Sequence, residues 1–150
     1  MPQSLSRIIL HIVFSTKDRK PTIYDGIAEQ LFAYLGKCCV KNDAVPLIIG
    51  GYVDHVHIAI LMNRTRGVAC LVKNIKTDSS NWIRSQDQNF RQFLWQRGYG
   101  VFSVSESQYQ KLARYIGNQK QHHQKIGFME EYRLFLKKHG VVYDEHYLWD

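Results

Sequence analysis

The chain predicts an α+β fold, an antiparallel sheet of split β-α-β type with helices packed on it. Three observations predict it. Strand-like apolar runs and stretches of helical period follow one another as strand, helix, strand, strand, helix, strand or hairpin, helix, helix. The two central runs are joined by a short connection containing glycine, as in a hairpin. A length of 150 residues, 45% of them hydrophobic, suits a single domain with a sizeable core, so residues 1–150 are read as one unit.

RIILHIVFST (7–16) is rich in β-branched residues and runs into the basic KDRKPT, as a strand entering a loop does. From Thr22 to about Lys41, residues Ile27, Leu31, Tyr34, Leu35 and Cys38 recur at helical spacing. VPLIIGGYVDHVHIAILM (45–62) divides into two strands connected within Gly50 to Asp54. A second helix runs from about Thr65 to Arg84, with Val68, Leu71, Val72, Ile75 and Trp82 on one stripe and Lys73, Lys76, Asn81 and Arg84 away from it. FLWQRGYGVFSVS (93–105) reads as a short strand, a bend at Gly98 to Gly100, and another short strand.

Ser105, with Gln108 three residues on, has the form of a capping box opening a third helix to about His123. Its buried stripe is Tyr109, Leu112, Ala113 and Ile116. FMEEYRLFLKKHG (128–140) is a fourth helix, closed by Gly140 with Lys137, Lys138 and His139 in its last turn. The tail EHYLWD (145–150) is too apolar to stay free and is expected to dock.

Twenty Lys and Arg against thirteen Asp and Glu give a net charge of +7, which points to a polyanionic partner, nucleic acid ahead of a membrane surface. Cys38, Cys39 and Cys70 form no C-x-x-C, which argues against a disulfide framework or a cysteine zinc site and suits a reducing cytoplasm. The N-terminus lacks the pattern of a signal peptide, and no apolar run approaches the roughly 20 residues that span a bilayer. A soluble, unprocessed protein is expected.

The stretch GGYVDHVHIAILM (50–62) sets two histidines one residue apart at the start of an apolar strand. Strand side chains alternate between faces, so His55 and His57 project together while Val56, Ile58 and Ile60 face the other way. Two convergent imidazoles make a corner of a metal site, or a surface or internally satisfied pair. On the third helix Tyr115 and Gln119, four residues apart, share a flank of the buried stripe. The adjacent His122 and His123 read as a polar helix end ahead of a supplement to the metal site. Candidate phosphate and base contacts are Lys17, Arg19 and Lys20 after the first strand, Lys73, Lys76 and Arg84 on the second helix, and Arg97 with Tyr99.

Taken in order, VFSTKDRKP, GGYVDHVHIAI, LVKNIKTDSSNWI, WQRGYGVFSVS, RYIGNQKQHH and HYLWD resemble the single-tyrosine, histidine-hydrophobe-histidine (HUH) transposases of small bacterial and archaeal insertion sequences, including the REP-associated transposases. The resemblance spans nearly the whole chain. It implies a ferredoxin-like or RRM-like sheet with an additional C-terminal helix carrying the tyrosine. It also implies a homodimer that cuts and rejoins single-stranded DNA at hairpins near element ends, in the cytoplasm at the nucleoid, with no membrane and no small-molecule cofactor. Carried over residue by residue, His55 and His57 match two ligands of a divalent metal, Mg2+ or Mn2+. Gln119 matches the third ligand, and Tyr115 the nucleophile that forms a 5′-phosphotyrosine and frees a 3′-hydroxyl. The competing expectation is a non-catalytic, RRM-like nucleic-acid-binding protein in which the histidines are incidental. A paired-histidine phosphodiesterase would need a second H-x-T or H-x-S, and none is present.

Overall fold

The computed structural model describes residues 2–150. Four strands, β1 (Ile9–Ser15), β2 (Val45–Tyr52), β3 (His55–Leu61) and β4 (Gly100–Val104), form one antiparallel sheet in the order β2-β3-β1-β4. This is the α+β sheet that the element order predicts. Helices α1 (Asp25–Lys41) and α2 (Val68–Arg84) cover one face, and α3 (Tyr109–Gly117), α4 (Gln119–His122) and α5 (Phe128–Lys138) cover the other.

Strand alternation decides which side chains enter which layer. Leu10, Ile12 and Phe14 of β1 and Val56, Ile58 and Ile60 of β3 are buried beneath α1 and α2, with Leu31, Leu35, Leu71 and Ile75 above them. Each such side chain contributes about 1.5–3 kcal/mol by leaving water. Tyr34 and Trp82 stack across the two helices, ring centroids 4.8 Å apart. On the opposite face Val13 and Phe102 meet Phe128, Tyr132 and Leu136 of α5. His57 pairs with Val13 and His55 with Ser15, so both imidazoles point into this second, smaller layer.

Several boundaries differ from expectation. The first two helices begin later, at Asp25 and Val68. Residues 93–99 form no strand, although Phe93 and Trp95 alternate inward. Their rings are drawn into the α1/α2 core, the Trp95 indole donates to Ser79 Oγ at 2.9 Å, and only an isolated Thr16–Trp95 bridge remains. Ser105 makes no capping contact and precedes a short 3-10 turn, Glu106–Gln108, instead. The third helix is broken at Asn118 (φ −105°, ψ 21°), so Gln119 opens a separate helix rather than continuing that of Tyr115. Of the α3 stripe only Ile116 is buried; Tyr109, Leu112 and Ala113 are half-covered.

The tail docks as expected. Trp149 lies beside Phe128, between the guanidiniums of Arg19 and Arg133 at 5.3 and 5.1 Å, and the Gly98 N–H donates to the Asp150 carbonyl at 2.9 Å. Cys38, Cys39 and Cys70 are all free. Among the described residues, no helix is long and apolar enough to cross a membrane.

Candidate active site

The face of β3 beneath α3, α4 and α5 carries a buried cluster centred on one carboxylate. Glu131, 1% exposed, sits in the apolar stripe of α5 between Phe128 and Tyr132 on one side and Phe135 on the other. Its Oε1 lies 2.8 Å from His57 Nε2 and 3.4 Å from His55 Nε2. Its Oε2 lies 2.9 Å from His123 Nε2 and accepts the hydroxyl hydrogen of Tyr115. The Tyr115 oxygen also lies 2.9 Å from His122 Nε2. Gln119, equally buried, brings Oε1 to 2.9 Å from His55 Nε2 while its amide nitrogen faces the Tyr115 carbonyl.

The outer nitrogens fix how these rings present themselves. His55 Nδ1 faces the Asp54 carboxylate at 2.8 Å, and His123 Nδ1 faces the Ile126 carbonyl at 2.8 Å. Both partners accept, so each Nδ1 carries a hydrogen and each ring turns its Nε2 inward. Those Nε2 atoms face oxygens of Gln119 and Glu131 at 2.9 Å. His55, His57, His123 and Glu131 each offer one donor atom, and the four atoms lie within 4.8 Å of one another, so the residues present fit a nitrogen- and oxygen-ligated metal. His57 Nδ1 rests 2.7 Å from Nε2 of the buried His11, a neighbour of the kind that orients a ligating ring.

The electrostatics match. Burial opposes ionisation of Glu131, but its contacts with His123 and His57 outweigh burial and hold it well below the usual carboxylate range. Burial pushes His57 down to about 4 against the pull of Glu131. Burial and then the Glu131 charge push the Tyr115 phenol above its ordinary range. At neutral pH the site therefore holds a carboxylate, a neutral His57 and a protonated phenol.

The structure thus brings together His55, His57, Tyr115 and Gln119 within one chain. It also corrects the reading of His122 and His123 as a polar helix end, because the break at Asn118 turns α4 toward the sheet. Glu131 escaped the sequence reading, and His123 entered it only as the lesser alternative to a polar helix end. A carboxylate at an apolar position of the FMEEYRLF stripe was the available signal for the first.

The other candidate contacts do not gather on one surface. Lys73, Lys76, Arg97 and Tyr99 line a cavity of about 370 Å³ beside α2, across the sheet from Tyr115. Lys76, expected on a polar helix side, instead donates to the carbonyls of Gln96, Arg97 and Gly98 at 2.6–3.1 Å, and burial pushes its amine down to about 8. Arg84 likewise donates to the Phe93 carbonyl at 2.8 Å. Lys17 and Lys20 are exposed, whereas Arg19 is half-buried against Trp149.

The family profile described as IS200-like transposase matches residues 4–119, more than half of the chain. The chain belongs to the IS200-like transposase family. The matched stretch of this transposase ends at Gln119, so His122, His123 and Glu131 lie beyond it. Among solved structures, a candidate transposase from Deinococcus radiodurans is 23% identical, with a TM-score of 0.62 over 79% of this chain and 98% of that one. A REP-associated tyrosine transposase bound to a REP hairpin is 11% identical, with a TM-score of 0.60 over 82% and 74%. Both share the fold. No curated protein matches the chain.

Proposed function

We propose that this transposase cuts and rejoins single-stranded DNA at element ends, residues 1–150 acting as one domain, with Tyr115 as nucleophile. One observation carries the reading: the Tyr115 hydroxyl is held by Glu131 and His122 at the edge of the donor set His55, His57, His123 and Glu131. The four metal-donor residues, supplemented by Gln119, would hold Mg2+ or Mn2+. When bound, such a metal supplies Lewis acidity at a phosphate oxygen and offsets charge on the leaving oxygen.

The chain's own groups do the rest. A phenol kept protonated is a weak nucleophile, so its proton must leave as it attacks. Glu131, far less basic than the phenol, orients the hydroxyl through the hydrogen bond it accepts, His122 lies on the other side of the phenol oxygen, and the proton passes to solvent as the new bond forms. The Tyr115 oxygen bonds to phosphorus as the bond to the 3′-oxygen breaks, giving a 5′-phosphotyrosine and a 3′-hydroxyl. Attack by another 3′-hydroxyl reverses the step and restores the phenol, so strands are joined without a separate energy source. Asp54 and His11 orient the rings of His55 and His57 throughout.

Hairpin DNA is the proposed substrate, supported by the hairpin bound to the structural relative and by the net charge of +7. The homodimer and cytoplasmic setting that the family resemblance implies belong to the same proposal. In a dimer built from this conformation, each subunit would carry its own complete site. The test incubates labelled single-stranded hairpins from the protein's own locus with wild type or Tyr115→Phe, with Mn2+ or EDTA. Metal-dependent cleavage and joining that disappears in Tyr115→Phe is expected. Hairpin binding without cleavage would favour the non-catalytic binding protein.

A further inference from the structure

A second cavity, of about 600 Å³, opens between α3 and α5 and ends on the reacting group, since Tyr115, His122 and Glu131 line its inner end. Its volume falls in the roughly 300–1,000 Å³ range of small-ligand sites. The wall is aromatic: Phe135 is half-buried, stacks on the buried Phe102 at 5.7 Å, and meets the Tyr115 ring edge-on at 5.7 Å. Leu112 of α3 is half-exposed and Leu134 of α5 is 54% exposed, so both helices present apolar side chains to this cleft that neither covers for the other.

The rim is cationic. Lys111 and Lys138 line it, both are exposed, and neither forms an ion pair among the described residues. An aromatic wall between two unpaired ammonium groups suits a chain of alternating bases and phosphates, where bases stack and phosphates meet the cations. A second copy of this chain is a poorer occupant, because it would bring its own charge of +7 to a basic rim. Position adds the rest. When a phosphate lies at the Tyr115 oxygen, the base of an adjoining nucleotide is one backbone step away, and the cavity begins at that oxygen.

We propose that this cavity receives the unpaired nucleobase of the nucleotide flanking the scissile phosphate, stacked on Phe135, with the strand's outer phosphates at Lys111 and Lys138. The inference rests on Tyr115 being the nucleophile.

The test measures fluorescence anisotropy in EDTA, where no cleavage occurs, using a labelled ten-nucleotide thymidine strand and an abasic strand of equal length. Wild type is expected to bind the thymidine strand at least about fivefold more tightly, the lower end of what one stacked base contributes. Phe135→Leu, which keeps apolar bulk but loses the ring, should remove most of that preference and leave abasic binding unchanged. Leu134→Glu, at an exposed position that spares the fold, should weaken thymidine binding by placing a negative charge at the rim. Equal wild-type affinity for the two strands, or a wild-type preference retained in both variants, overturns the proposal. Adduct formation on locus hairpins, assayed in parallel, separates the two levels. Adducts with base-independent binding sink the base site alone, whereas Phe135-dependent base binding without an adduct on any strand sinks the catalytic reading.

Discussion

Gly50 is where a single methyl group tests how Tyr115 is positioned. In β2 it pairs with His57 and so projects toward α3. A Cβ at this position would lie 2.6 Å from the carbonyl oxygen of Ile116 and 3.0 Å from its Cγ2. Ordinary contact begins near 3.4 Å, so the backbone beside Tyr115 must retreat by about 0.8 Å in Gly50→Ala. Overpacking of this kind costs about 1–3 kcal/mol. At about 2–4 °C per kcal/mol for a chain of this size, the melting temperature should fall by roughly 2–12 °C. A displacement near 1 Å at a reacting group can cost about 10²-fold in rate, so cleavage of a locus hairpin should slow by about that factor even well below the new melting point. Gly67→Ala is the control, because nothing lies within 4 Å of its added Cβ. Differential scanning calorimetry and single-turnover cleavage read both effects. A Gly50→Ala protein with wild-type melting and wild-type cleavage would refute the packing of α3 on β2.

Other consequences follow from the buried cluster. His57 binds a proton near 6.5 in the unfolded chain but only near 4 in the fold. The unfolded chain therefore holds more protons across that window. Metal-free protein should lose up to about 3 kcal/mol as pH falls through it, with a further loss below the ordinary carboxylate range as Glu131 protonates. Thermal melts in EDTA from pH 7.5 to 4.5 measure this, and a flat profile would contradict the neutral His57. Asp54→Ala removes the partner of His55 Nδ1 and should weaken Mn2+ binding about 10–100-fold by calorimetry; unchanged affinity would remove Asp54 from the site. Glu131→Gln should weaken Mn2+ binding at least as much and also slow cleavage, while Glu130→Gln, at an exposed neighbour, should change neither. Equal behaviour of the two variants would contradict the central place given to Glu131.

The sheet and the site histidines were legible because alternation is a rigid rule: once residues 55–61 form a strand, His55 and His57 cannot point anywhere but opposite Val56 and Ile58. The break at Asn118 was not legible, because the heptad-like spacing of Tyr109 to Ile116 runs on smoothly toward His123. That one bend converts His122 and His123 from a solvated helix end into lining of the site. Glu131 was hidden for another reason. It occupies an apolar position whose partners come from β3, α3 and the end of α4, and only the tertiary fold brings four imidazoles and a phenol to one carboxylate. Residues 93–99 misled because Phe93 and Trp95 alternate as in a strand, yet their rings are used to close the α1/α2 core rather than to extend a ladder.

The most direct measurement is tandem mass spectrometry of the protein after reaction with a locus hairpin and Mn2+, followed by nuclease and trypsin digestion. The account predicts a nucleotide remnant on the tyrosine of the peptide Tyr115–Lys120, absent when metal is withheld. A remnant on another tyrosine, or cleaved DNA with no modified peptide, would contradict it.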